Sequence, residues 1–194
     1  MADMSELRGR MVERQLKARG IGNERVLPAM GEVPRERFVP ERLTEFAYED
    51  GPLPIGEEQT ISQPYIVGLM IEAADIEPGD RVLEVGAGSG YAAAVISRIA
   101  GEVFAIERHP SLAQSAQQRL LELGYDNVAV MAGDGSGGLP DKAPFDAILV
   151  AAGGDKVPEP LKRQLAIGGR LVVPVGGENQ QSLLCVTRTG ADEW

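Results

Sequence analysis

Arg81-Val82-Leu83-Glu84-Val85-Gly86-Ala87-Gly88-Ser89-Gly90-Tyr91 is an apolar strand with an acid near its end that runs into three alternating glycines and then an alanine-rich stretch. Such a turn lets a small ligand approach bare backbone, because glycine tolerates conformations that side chains forbid. Downstream, apolar strand candidates at 81–85, 102–106, 128–131, 145–150 and 170–174 alternate with helix candidates at 91–100, 111–123 and 158–166. A final strand is expected at 182–187. Repeated β-α units predict an α/β fold, a mostly parallel central sheet with helices on both faces.

Upstream the pattern differs. Leu7, Met11 and Leu16 share a helical face that Gly20 terminates, and Asn23 is placed to cap a short helix holding Val26, Leu27 and Met30. Six prolines and glycines from Pro34 to Gly56 then predict mostly loop over 31–59, long enough to be functional. Pro64 opens a helix that ends near Ala74, with Ile66, Leu69, Met70 and Ala73 as its expected buried stripe. The expected organisation is one domain over 1–194. Its N-terminal helical and loop extension, 1–63, contributes to the substrate site, and 64–194 form the cofactor-binding core.

A chain of 194 residues with 43% hydrophobic residues suffices for one well-buried core. Its net charge of −10 argues against nucleic acid, whose phosphates demand concentrated Lys and Arg. No segment reads as a signal peptide or membrane span. The single cysteine, Cys185, precludes an internal disulfide and any multi-cysteine zinc site, so no metal is expected and a cytoplasmic location fits.

In open α/β sheets a ligand sits beyond the strand C-termini, which is where Gly86-Ala87-Gly88-Ser89-Gly90 falls. The spacing is G-x-G-x-G, whereas a dinucleotide fold uses G-x-G-x-x-G to aim a helix at a pyrophosphate. S-adenosyl-L-methionine has no phosphate and fits better. Glu84 can then serve its ammonium and Glu107 its ribose hydroxyls, while Asp134, between Gly133 and Gly135, can accept from the adenine amino group. Each acid also has a plainer reading as a solvated strand end or turn former, and Glu107 would serve NAD equally. Their joint order favours S-adenosyl-L-methionine.

These residues resemble the class I S-adenosylmethionine-dependent methyltransferases and, more narrowly, the protein-L-isoaspartate O-methyltransferases. The narrower likeness rests on Val33-Pro34-Arg35-Glu36-Arg37-Phe38-Val39-Pro40, Pro52-Leu53-Pro54-Ile55-Gly56, Thr60-Ile61-Ser62-Gln63-Pro64 and Gly168-Gly169-Arg170-Leu171-Val172-Val173-Pro174. It implies a Rossmann-like fold and methyl transfer to the free α-carboxylate of L-isoaspartyl residues in damaged proteins and peptides, with S-adenosyl-L-homocysteine as product. The methyl ester would then close to a succinimide.

By the same resemblance Ser62 is the catalytic residue; its hydroxyl can orient an accepting carboxylate. Read without the family, Ser62 could merely cap the helix at Pro64. Gln59, Thr60, Ile61, Glu84, Gly86, Ala87, Gly88, Ser89, Gly90, Glu107, Arg108, Asp134 and Gly135 form the implied cofactor-binding set. The resemblance also implies a further strand beyond Trp194 that frames the peptide site. The protein is expected to act as a monomer without nucleic-acid or membrane partners.

Other readings are methylation of a different carboxylate or small molecule, and a cofactor-binding protein without turnover. His109, the single histidine, reads as a surface residue opening a helix, and Cys185 as a small buried hydrophobe in a strand.

Overall fold

The computed structural model describes residues 3–177 and 180–194. Helix α1 (Met4–Met11) continues through a π turn, Val12–Leu16, and a 3-10 turn, Lys17–Arg19, to Gly20, whose φ of 97° ends the helical run. Helix α2 (Val26–Glu32) starts later than expected, with Arg25 at its N-cap position; the Asn23 side-chain oxygen still accepts from the N–H groups of Arg25 at 2.8 Å and Val26 at 3.3 Å in the turn that leads into it.

The stretch expected as loop is more ordered. Short 3-10 helices occupy Arg35–Phe38 and Glu41–Phe46, and an antiparallel hairpin follows, β1 (Leu53–Gly56) with β2 (Gln59–Ile61). These elements are too short for periodicity to register. The hairpin also turns through Glu57 and Glu58, at φ of 50° and 56°, where Asn or Gly would be the usual signal.

Helix α3 (Pro64–Ala74) lies as expected, but of its expected buried stripe only Met70 is buried. Val67, Gly68, Met70, Ile71 and Ala74 are buried, while Ile66 is 38% exposed and Leu69 and Ala73 are half-buried. The helix is apolar nearly all round, so the pattern selects no unique face. Gly68 settles the orientation: a Cβ there would stand 3.4 Å from Leu16 Cδ2, close packing against the N-terminal segment.

The remaining elements alternate: β3 (Arg81–Val85), α4 (Tyr91–Ser97), β4 (Glu102–Glu107), α5 (Pro110–Glu122), β5 (Val128–Ala132), β6 (Phe145–Val150), α6 (Glu159–Arg163), β7 (Leu165–Gly177) and β8 (Gln180–Thr187). Two helices are shorter than expected. The Asn127 amide donates to the carbonyls of Ser97 at 3.0 Å and Ala100 at 3.2 Å, satisfying the end of α4 short of residue 100. Leu165 pairs with Phe145, so β7 begins where a helix was expected, and a register shift precedes its main run. Cys185 lies in β8, the antiparallel edge strand, and is exposed rather than buried.

The sheet order is β5-β4-β3-β6-β7-β8, parallel except for β8. Alternation along β3 divides the core: Val82 joins a cluster with Met30, Phe38, Ile71, Tyr91 and Ile96, and Leu83 and Val85 join one with Phe145, Leu161 and Leu171. The N-terminal extension therefore shares one core with a face of the sheet. Strand order reverses at β3, which pairs with both β4 and β6, and the cleft described next opens at that point.

Candidate functional site

The loop after β3 is held by backbone contacts from both sides. Gly86 and Ala87 N–H groups donate to Ile106 O at 2.8 and 3.1 Å, and Ala151 N–H donates to Val85 O at 2.8 Å. Gly86, Gly88 and Gly90 have φ of 94°, 53° and 85°, so the alternating glycines are a conformational requirement. Arg119 of α5 donates to Ser89 O at 2.9 Å and fixes the loop's outer side.

A cleft of about 480 Å³ lies against this loop, walled by the ends of β2, β3, β4 and β6 and by the segment after β5. It brings together Gln59, Thr60, Ile61, Ser62, Glu84, Gly86, Ala87, Gly88, Ser89, Glu107, Arg108, Asp134 and Gly135. Gly90 is the exception. A Cβ there would come 3.1 Å from Leu120 Cδ1 and 3.3 Å from Ala116 Cβ, so Gly90 lets α4 pack against α5 and does not line the cleft.

Glu107 is 5% exposed and strongly organised. Its Oε2 accepts from Gly88 N–H at 2.8 Å and its Oε1 from His109 N–H at 2.9 Å. Each oxygen keeps acceptor capacity for a hydroxyl pair. Glu84 is 2% exposed, and its Oε2 has no protein partner. Burial, reinforced by the charge of Glu107 and opposed by the Ala93 N–H, pushes its pKa up to about 8. An orphaned buried carboxyl in a cleft suits a cationic ligand group. Asp134 accepts from Ser136 N–H at 2.9 Å, which lowers its pKa and presents an ionised carboxylate at the rim.

Another side of the cleft is built by the hairpin. Ser62 follows β2 directly, and Gln63, not Ser62, occupies the N-cap position of α3, with no side-chain capping bond. The capping role is thus absent, and the Ser62 backbone is anchored instead: Arg35 Nη2 donates to Ser62 O at 2.9 Å. Ile55 closes over the glycine loop, where a Cβ on Gly88 would stand 3.2 Å from its Cδ1. The hairpin tip is tied down by Ser111 Oγ, which donates to Glu57 Oε1 at 2.6 Å. His109 precedes α5, as expected, with Nδ1 4.0 Å from Glu57 Oε2, and it also lines the cleft.

Two contributions escaped sequence reasoning. Val150 at the end of β6 and Ala151, Ala152, Gly153 and Gly154 after it line the cleft beside the glycine loop, where a Cβ on Gly86 would stand 3.4 Å from Ala151 Cβ. The signal was available, since small residues follow a central strand at the sheet's switch point. Tyr91 and Val67 add apolar lining from the first turns of α4 and α3.

The family model described as protein-L-isoaspartate(D-aspartate) O-methyltransferase matches residues 8–194. A protein-L-isoaspartate O-methyltransferase of Methylorubrum extorquens is 60% identical over 192 residues, covering 99% of this chain and 84% of its own. One of Brucella anthropi is 54% identical over 195 residues, covering 100% and 89%. Among solved structures, a protein-L-isoaspartate O-methyltransferase superposes with a TM-score of 0.81 at 36% identity; the match covers 92% of this chain and 59% of that one. A Plasmodium falciparum structure ascribed to the same enzyme class, in complex with S-adenosyl-L-homocysteine, superposes with a TM-score of 0.82 at 26% identity, covering 98% and 92%.

Proposed function

The chain belongs to the protein-L-isoaspartate(D-aspartate) O-methyltransferase family, and from that membership we propose how its cleft divides the labour of methylating the α-carboxylate of L-isoaspartyl residues in damaged proteins and peptides. The cofactor is S-adenosyl-L-methionine, and the observation that carries the reading is the pairing, in one cleft, of a glycine cradle flanked by two buried acids with the Thr60–Ser62 strand end. When bound, the cofactor supplies a methyl group activated by its sulfonium charge.

The residues present fit that group. Glu84 offers an unpartnered buried carboxyl to its ammonium, Glu107 two hydrogen-bonded oxygens to its ribose, and Asp134 an acceptor to its base. Gly86, Ala87, Gly88, Ser89 and Gly135 keep the floor open, with Gln59, Thr60, Ile61 and Arg108 as walls.

On the acceptor side Ser62 donates a hydrogen bond to one oxygen of the substrate carboxylate and leaves the other turned toward the donor. That carboxylate is ionised at neutral pH, so no protein base is required; positioning and exclusion of water supply the rate. His109 has no proton to remove.

The enzyme is taken to act as a cytoplasmic monomer. No helix among the described residues is long and apolar enough to cross a membrane.

The test is incubation with methyl-labelled S-adenosyl-L-methionine and two matched peptides, one isoaspartyl and one aspartyl. The expected result is a base-labile ester on the isoaspartyl peptide alone. Equal labelling of both, or a base-stable product, refutes the reading. Binding of S-adenosyl-L-homocysteine without transfer to either would instead mark a binding protein.

A further inference from the structure

Arg35 heads the fully buried side chains of the protein at 0% exposure, yet it carries a formal charge. Its partners are two carbonyls and a ring. Nε donates to Ala47 O at 2.7 Å, Nη2 donates to Ser62 O at 2.9 Å, and the guanidinium carbon lies 4.9 Å from the Tyr91 ring centroid. Nη1 is buried with no partner, and among the described residues no carboxylate pairs with this guanidinium. Glu36, its neighbour in the chain, accepts instead from the Tyr48 hydroxyl.

A buried cation without a counter-ion is costly, and arginine is the side chain least able to escape by losing its proton. A neutral residue of similar length would fill the same space without that penalty. What arginine adds is a planar fork that reaches two carbonyls at fixed angles, together with an unanswered positive charge. Both act at the cleft, because Ser62 and Tyr91 line it. Tyr91 is the first residue of α4 after the glycine loop, so one guanidinium touches the acceptor strand end and the residue that follows the donor loop.

We propose that Arg35 is a positioning residue for methyl transfer: its fork holds the Ser62 strand end in register with the glycine loop, and its uncompensated charge draws the anionic acceptor carboxylate to the Ser62 side of the cleft. The proposal rests on the isoaspartyl reading above and extends it to a residue that never touches the reacting atoms. Arg35 lies behind the cleft wall; the cations that line the cleft itself are Arg108, His109 and Lys156, of which Arg108 and His109 follow Glu107 directly and Lys156 is exposed. Among the described residues, Arg35 is the cation hydrogen-bonded to the Ser62 backbone.

Charge and positioning separate experimentally with two variants, Arg35→Met and Arg35→Lys. Each is checked for folding by its thermal melt and for cofactor-site integrity by calorimetry with S-adenosyl-L-homocysteine, where a dissociation constant within about twofold of wild type is expected. With that product saturating, calorimetry then compares an isoaspartyl peptide with its α-carboxamide counterpart, which is neutral at the acceptor position. Wild type is expected to prefer the carboxylate by roughly tenfold, the scale of one charge pair separated by several ångströms of protein. Arg35→Met is expected to abolish the preference, and Arg35→Lys to keep it.

Turnover reads the positioning role. A lysine ammonium cannot reproduce the two-carbonyl fork, so Arg35→Lys should lower kcat about tenfold while changing KM little. An undiminished preference in Arg35→Met overturns the charge role, and a wild-type kcat in Arg35→Lys overturns the positioning role. Should Arg35→Met fail to fold, Arg35→Lys decides: a lost preference or an unchanged kcat refutes the proposal, and a kept preference with lowered kcat supports it. Failure of wild type to methylate the isoaspartyl peptide refutes the functional reading itself, which no Arg35 variant is needed to see.

Discussion

Glu107 Oε2 accepts the backbone N–H of Gly88 at 2.8 Å, so the acid that ends β4 holds the middle glycine of the loop that ends β3. Its other oxygen takes His109 N–H at 2.9 Å. The carboxylate is thereby preorganised, with both oxygens oriented before any ligand arrives. Glu107→Gln replaces one oxygen by an amide that can only donate. The dissociation constant for S-adenosyl-L-homocysteine is expected to rise about 10- to 100-fold, as for loss of charge-assisted hydrogen bonds. Calorimetry checks it, and a change under about threefold would remove Glu107 from the binding set.

Glu84 predicts a pH dependence. Its pKa is pushed up to about 8, by burial first and by the charge of Glu107 second, whereas unfolded it ionises at the ordinary value of 4.5. A raised carboxyl pKa means that the folded state favours the proton. In the cofactor-free protein the stabilisation from protonated Glu84 is complete below pH 4.5, declines as pH rises, and is gone by about 8. Glu84→Gln is therefore expected to be more stable than wild type at pH 8 by about 1–3 kcal/mol, measured by denaturant melts without cofactor.

The same residue should behave oppositely toward ligand. Pairing with the ligand ammonium requires ionised Glu84, so wild-type affinity for S-adenosyl-L-homocysteine is expected to climb between pH 6 and 8, by at most about tenfold per unit. Glu84→Gln should bind weakly and with a flat profile. A flat wild-type profile would separate Glu84 from the ammonium.

Why the glycine-loop half of the cleft was legible in sequence, and the Ser62 half less so, is a matter of local rules. A strand, alternating glycines and acids at successive strand ends obey α/β topology, which puts a ligand where β3, β4 and β6 terminate. Their chemistry is carried by residues contiguous with the elements that place them. The Ser62 half depends on Arg35 reaching Ser62 O across 27 positions of chain, and on a hairpin with strands of four and three residues. Neither leaves a periodic trace, and an arginine in a Pro-rich stretch reads as exposed. The wall after β6 consists of Ala and Gly, whose contribution is the space they leave. The misread faces of α3 and Cys185 share a cause, since apolarity signals burial somewhere without saying which side.

Ser62 neither caps α3 nor has its backbone oxygen free, because Arg35 holds that oxygen. Its hydroxyl is the part that the proposed reading assigns to substrate. Ser62→Ala should lower kcat for the isoaspartyl peptide by about 10- to 100-fold, the range for a positioned hydrogen bond at a reacting group. Binding of S-adenosyl-L-homocysteine should stay within about twofold, and the melting temperature should be nearly unchanged. An unaltered kcat would leave Ser62 as part of the wall. In the double variant Ser62→Ala with Arg35→Lys, the losses should combine less than multiplicatively, since the fork acts through the strand end that carries Ser62.

The hairpin over the glycine loop carries backbone strain at its tip, where Glu57 and Glu58 both adopt positive φ. The two differ in what they contribute. Glu57 accepts from Ser111 Oγ and faces His109, whereas Glu58 is exposed and has no ion pair among the described residues. Glu58→Gly removes a side chain from a left-handed position without removing a side-chain hydrogen bond or ion pair seen among the described residues. Relief of strain should exceed the entropy gained by the unfolded chain, raising stability by about 0.5–1 kcal/mol. Glu57→Gly relieves similar strain but unties the tip from α5, so its net effect should be near zero or destabilising. It should also quicken dissociation of S-adenosyl-L-homocysteine in stopped-flow measurements, because the tie holding the hairpin over Gly88 is lost. If the two variants melt alike and release product at the wild-type rate, the Glu57–Ser111 bond does not restrain the hairpin.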